Sequence, residues 1–425
     1  MIRRFLVLLV FCFNMTIPVF SLDFQFVSFM DYYGGIEPSE GYDHLRNRIF
    51  ISPKVTGFSN DGHLEWQVSG QFWYQTMEDP EWIDPWDILG ESFLFLQSDN
   101  FDVTVGQKVI SYGFSDLYGP LNVLHSTHRT TLSVDDPYDS RRPDPLIQIR
   151  YFPDYTSSFE LTYIPVTRPD IENQNTIALT ETNDLVQWSD EPFLLENLHS
   201  VFLNYSRYGE LFDLQLFYGF YTEHTPDFNI LEVNSEVSTV IRPVYHKKHT
   251  LGAAYSTGIG HSTLSQDLAL NLAHDLDGSD LGGQNSDITL NSQLLMNLPG
   301  NILSQFSFVY SYIINYEEDP SGVDADAAEY LSEEIQSFHN QPYEHLAFMV
   351  GHFERSFLRE KLKSQINIAF FFSPDILLTP RLSYALNDYW NLDTGADITL
   401  GEPSDLDLRR NPGNDNFYIR LVWRY

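Results

Sequence analysis

Hydrophobic and polar residues alternate one by one along much of this chain. Residues 63–76 place Leu64, Trp66, Val68, Phe72 and Tyr74 opposite Glu65, Gln67, Ser69, Gln71 and Gln75. The same alternation returns in 211–222, 302–314 and 360–372, where Leu362, Ile366, Ile368, Phe370 and Phe372 oppose Lys361, Lys363, Gln365 and Asn367. It is clearest at the end, where Phe417, Ile419, Leu421, Trp423 and Tyr425 alternate with Tyr418, Arg420, Val422 and Arg424. A period of two is that of an extended strand with one apolar face. A strand of about ten residues with such a face is long enough to cross a bilayer at a tilt.

The connections between these segments come in two lengths. Short turns fall near 59–62, 98–100, 154–157, 208–210, 258–262, 299–301, 357–359 and 387–389. Long polar connections fall at 31–44, 78–87, 113–144, 166–196, 223–246, 276–286, 316–342 and 402–414, with Ser373–Asp375 as a brief exception. Short turns at one end and long loops at the other predict an all-β, transmembrane, antiparallel up-and-down barrel. It has about 18 strands, or 16, with periplasmic turns and extracellular loops. Within 316–342, Ala328, Leu331, Ile335 and Phe338 recur at near-helical spacing beside Glu329, Glu333 and Glu334, predicting a short acidic helix.

Composition narrows the picture. Aromatic residues make up 15%, which suits interfacial girdles. Mean hydropathy is −0.25, and beyond the amino terminus the chain lacks the long apolar run of a membrane helix. Arg3 and Arg4, the apolar run Phe5 to Phe13, and Val19-Phe20-Ser21 read as a secretory leader over 1–21, leaving a single barrel over 22–425. Cys12, the only cysteine, lies in that leader, so the mature chain forms no disulfide. Net charge is −35; without Arg3 and Arg4, 22 basic residues face 59 acidic ones, or −37. Such a balance excludes nucleic acid as a partner. The acids crowd into the long connections, as a solvated surface or as bridges to a lipopolysaccharide-type leaflet.

Two stretches carry a family likeness. Phe101–Gly113 (F-D-V-T-V-G-Q-K-V-I-S-Y-G) is followed by Arg141–Pro153 (R-R-P-D-P-L-I-Q-I-R-Y-F-P) and Ser158–Pro165, and Pro380–Asp397 precedes the final strand. Together they resemble porin-like outer-membrane proteins of unknown function, in the style of alginate-export and substrate-specific porins. The family strand reads Gly-Arg-Gln, three residues, Trp-Gly. Here Gly106-Gln107-Lys108 and Tyr112-Gly113 stand instead, so Lys108 sits one residue later, on the other face. The resemblance implies a passive channel or transporter for small molecules. The aromatic carboxy-terminal strand likewise resembles the terminal strand that the outer-membrane barrel-assembly machinery reads.

Strand parity then nominates lumen residues. With aromatics facing lipid, Lys361, Lys363, Arg381, Arg420 and Arg424 face inward with Asp393 and Asp397 between them, either as a transverse field or as an ion-pair ladder. The long connection 113–144 adds Arg129, Arg141 and Arg142 beside Asp135, Asp136, Asp139 and Asp144, and folded inward it constricts a pore. Lys108 completes the candidates. His125 and His128 lack a third metal ligand, and Asp275-x-Asp277-Gly278-x-Asp280 lacks calcium-loop spacing, so no metal or cofactor is assigned. No Gly-x-Ser-x-Gly motif occurs and no catalytic residue is assigned. The expected function is a passive or facilitated channel for small solutes, with the permeant unassigned. Two other readings fit the same pattern: a transporter of hydrophobic molecules, hinted at by inward Trp73 and Phe371, and a plugged structural or adhesive barrel.

Overall fold

A computed structural model describes residues 19–33, 44–59, 61–75, 88–115, 118–129, 141–172, 186–188, 198–233, 239–278, 280, 282–316, 339, 341, 343–371, 376–400 and 416–424. The expected helix around 328–338 lies outside the described residues, as does the leader apart from 19–21.

Among the described residues, nineteen strands form one sheet. In pairing order they begin Val19–Tyr33, His44–Phe58, Leu64–Ser69 with Phe72–Gln75, Ser92–Gln97, Phe101–Lys108 and Asp144–Tyr151. Ser157–Ile164, Ser200–Tyr208, Asp213–Thr222, Lys247–Ile259, Ser262–Leu272 and Asp287–Leu298 follow. Ile302–Ile313, His345–Phe357, Leu362–Phe371, Ile376–Ala385, Trp390–Leu400 and Asn416–Arg424 complete the order. Each pairs antiparallel with its neighbours, and the last pairs with the first through Tyr33↔Asn416 to Gln25↔Arg424, so the ladder returns to its start. Leu64–Ser69 and Phe72–Gln75 lie end to end against His44–Phe58, so nineteen strands fill eighteen positions.

The break between those two strands departs from the continuous segment expected over 63–76. The amide of Gly70 donates to Pro53 O at 2.9 Å, but Pro53 has no N–H to return the bond, and Gln71 N–H turns to Ile88 O at 2.7 Å. The long connections also hold structure that their polarity did not announce. Asp227–Val233 and Thr239–Val244 pair antiparallel, and Val186–Trp188 joins them in parallel as a small separate sheet. The first strand begins at Val19, within the expected leader, yet its ladder to the last strand begins only at Gln25.

The two faces are sorted opposite to those of a water-soluble sheet. In Ser157–Ile164, Ser158, Glu160, Thr162 and Ile164 are buried while Phe159, Leu161 and Tyr163 are exposed. Neighbouring strands continue the exposed apolar band with Ile147, Ile149, Leu203, Leu216, Leu251 and Leu268. On the inner side lie Thr104, Gln148, Asn204, Gln215, Asp267, Asn291, Asn367 and Thr379, all buried. A soluble fold exposes its polar face; an apolar exterior around a polar interior is the barrel pattern of a bilayer-spanning sheet.

Candidate functional site

Inside the ring, residues 109–115 and 118–127 leave the strand Phe101–Lys108 and lie against the inner wall. Tyr112 hydroxyl bonds Glu160 and, at 3.0 Å, Thr162. Gly113 N–H donates to Gln215 Oε1 at 2.9 Å, and Phe114 and Ser115 N–H donate to the two oxygens of Asp267, each at 3.0 Å. Asn291 Nδ2 donates to Tyr118 O at 3.1 Å, and the Tyr118 ring meets Phe348 edge-on at 5.0 Å. The strand of origin is fifth and that of Phe348 fourteenth in the pairing order, nine of eighteen positions apart. The segment therefore reaches from one wall to the opposite one.

An unusual patch of the wall receives it. Inward positions there carry Ala254, Ala269 and Gly252 in place of polar residues, and Leu121 seats against Gly252, where a β-carbon would stand 2.2 Å from its Cδ2. Leu121 and Leu124 are wholly buried with Phe202, Phe217 and Tyr221 in one cluster. Each such leucine contributes about 1.5–3 kcal/mol, and each amide bond to the Asp267 carboxylate about 1.5–3 kcal/mol. At the tip Tyr118 touches Phe348, which packs against a second inward apolar cluster of Val350, Ala369 and Leu377. Phe371, a hint of an internal apolar pocket in the sequence, thus packs beside Phe348 and that cluster.

The base of the segment is clasped by a buried hydrogen-bonded chain of His125, Asp144 and Arg168. His125 Nε2 accepts the Ile110 amide at 2.8 Å, and its Nδ1–H donates to Asp144 Oδ2 at 3.0 Å, so the ring is the neutral Nδ1–H tautomer. Asp144 Oδ1 takes Arg168 Nε–H at 2.9 Å. A His–Asp pair suggests a general base, but the Ile110 amide occupies the lone pair that a base needs. Above it lies a polar cavity of about 240 Å³ lined by residues that include His125, Asp170, Glu223, His224 and His339.

Other charges line the wall as acid–base pairs. Arg150 meets Glu160 at 3.0 Å, Lys363 meets Glu354 at 2.8 Å, and Arg381 meets Asp393 at 3.1 Å. The bases are the more open partners: Arg150 is 39% exposed against 5% for Glu160, and Lys363 is 40% against 22% for Glu354. Arg381 at 17% covers Asp393 at 8% in the same way.

The residues nominated from sequence divide into groups. Lys363, Arg381, Asp393, Asp397 and Arg420 share the inward parity; Asp393 stands in register with Arg420, whose guanidinium lies 3.9 Å from the Tyr418 ring centroid. Lys361 and Arg424 are exposed at the short-turn end. Lys108 Nζ lies 4.7 Å from the Phe93 ring centroid. Arg141 bonds Ser111, and buried Arg142 donates to Pro169 O at 2.9 Å. Arg129 pairs through its backbone with Glu172; its side chain and Asp135, Asp136 and Asp139 lie outside the described residues. Sequence reasoning missed Arg150, Glu160, Asp267 and Glu354. The parity rule applied to the late strands, carried back to S-F-E-L-T-Y-I and L-S-Q-D-L-A-L, would have found Glu160 and Asp267.

Comparison with solved structures places this architecture. The chain superposes on OccAB3 from Acinetobacter baumannii with a TM-score of 0.53 at 8% identity, over 96% of this chain and 99% of that one. A BenF-like porin from Pseudomonas fluorescens Pf-5 gives 0.52 at 10% identity over 96% and 98%, and the outer membrane protein opdK from Pseudomonas aeruginosa 0.51 at 10% over 96% and 98%. The fold is that of the outer-membrane porins. No family model matches the chain, and no curated protein matches its sequence. At such identities the porin fold transfers and particular residues do not, so the site stands on this chain's own geometry.

Proposed function

We propose that this chain is an outer-membrane channel through which small water-soluble solutes diffuse passively, narrowed by residues 109–115 and 118–127. The supporting observation is the ring with an apolar exterior and polar interior, lined by a segment whose wall contacts named above fall on the arc from Asp144–Tyr151 to His345–Phe357. Among the described residues the segment makes none of its named contacts on the arc from Leu362–Phe371 round to Ser92–Gln97, and that arc is the path for solute. Arg150 and Lys363 stand nine of eighteen positions apart in the pairing order, on opposite sides of the ring. Because the base is the more open partner at these three pairs, the lumen favours anionic solutes although the whole chain carries −35. Lys108, Arg381, Asp393, Asp397 and Arg420 complete the lining.

The leader over 1–21 delivers the barrel 22–425, and removing it spares the closing ladder from Gln25 onward. The terminal strand engages the barrel-assembly machinery, and the acidic loops meet the lipopolysaccharide-type leaflet. The apolar concavity of about 450 Å³ bordered by Ile149, Phe159, Leu161, Leu203 and Leu216 faces outward, so it supports no internal site for a hydrophobic cargo. Refolded protein in a planar bilayer tests the reading: stable conductance steps support it, and silence at every voltage replaces it with the plugged barrel.

A further inference from the structure

We propose that Asp267 sets the bore of the channel, its carboxylate acting as the latch that holds residues 109–115, and through them 118–127, against the wall. The inference rests on the channel reading and adds a positioning residue to it. Asp267 is wholly buried on the inner face of Ser262–Leu272, 152 residues from the Ser115 amide it accepts. Its two oxygens take successive amides, Phe114 N–H and Ser115 N–H, each at 3.0 Å. Two adjacent backbone amides form a small anion-binding concavity, and here the anion is supplied by the wall.

The segment is shaped to reach that carboxylate. Gly113 has φ of 91°, and a β-carbon on it would stand 2.3 Å from Asp267 Oδ2, so only glycine permits both the turn and the approach. Gln215 Oε1 takes the Gly113 amide on the near side, and Asn291 holds the Tyr118 carbonyl on the far side. Asp267 is thus the charged centre of a row of neutral contacts, the one whose loss frees consecutive amides at mid-span. His125 pins the base of the segment, so release at Asp267 lets the middle swing while both ends stay attached.

Two readouts test this on refolded protein. In the first, Asp267→Ala is compared with the unaltered chain in planar bilayers; the segment lies along half the ring, so its release raises single-channel conductance about twofold and adds flicker. In the second, Ser115→Cys in a Cys12→Ser background provides a single thiol. Ser115 is buried and its hydroxyl has no hydrogen-bond partner among the described residues, so the exchange leaves the amide bond to Asp267 intact. Adding Asp267→Ala then speeds its modification by a water-soluble maleimide about tenfold or more. Faster labelling with both chains electrically silent sustains the latch and sinks the channel. Unchanged labelling and conductance in folded Asp267→Ala overturn the latch. Should that variant fail to fold, Asp267→Asn, which keeps the shape and one acceptor oxygen, is measured instead; the same direction sustains the proposal and no change overturns it.

Discussion

Leu203→Arg separates a lipid-facing wall from a water-facing one. Leu203 is 47% exposed on the outer face of Ser200–Tyr208, in register with Leu161 and Tyr218, and lies well inside the apolar band. On a soluble sheet, an exposed leucine changed to arginine shifts stability by within about 0.5 kcal/mol. In hydrocarbon the guanidinium loses its hydration, and near the midplane of a barrel the same change costs about 2–4 kcal/mol. Leu211 provides the internal comparison: 81% exposed in the turn that precedes Asp213–Thr222, it lies at the interface, where arginine costs about 0–1 kcal/mol. The assay is reversible denaturant unfolding from phospholipid bilayers, with Leu203→Arg and Leu211→Arg measured beside the unaltered chain. A large loss at 203 with little at 211 is expected. Losses below about 0.5 kcal/mol at both refute the assignment of the outer face to lipid.

Further tests bear on the interior and the outer loops. Arg168→Met strands the Asp144 carboxylate in a buried site, costing about 3–5 kcal/mol, and adding Asp144→Asn recovers part of the loss; a cost under about 1 kcal/mol contradicts the clasp. Burial and Glu223 push Asp227 up to about 8 from 3.8, so the folded chain keeps a proton that the unfolded chain releases, and stability falls as pH rises toward 8. Burial pushes His339 down to about 4 from 6.5, which makes stability rise with pH over that interval. The two slopes oppose below 6.5, leaving a net fall between 6.5 and about 8. Asp227→Asn removes that fall in unfolding titrations, and a slope unchanged by the substitution counts against the assignment.

Much of the wall was legible because alternation is local. Phe417 and Ile419 against Arg420 define their strand's faces without any other part of the chain, and short turns such as Ser59–Gly62 mark one end. Within the loops, the small sheet formed by 227–233 and 239–244 was hidden by surrounding polar residues. The segment across the lumen was hidden for a different reason. Its partners are 102 residues away at Gln215 and 152 at Asp267, a distance over which no periodicity carries information. Gly252, Ala254 and Ala269 look like faults in a polar lumen until Leu121 is seated on them. Gly113 stood in the Tyr-Gly motif, yet its close approach to Asp267 is a property of the folded ring.

The most direct measurement is the reversal potential of the refolded protein in a planar bilayer under a potassium chloride gradient. Anion preference is predicted, because Arg150, Lys363 and Arg381 face the lumen in front of their acidic partners. A cation-selective pore would contradict that arrangement.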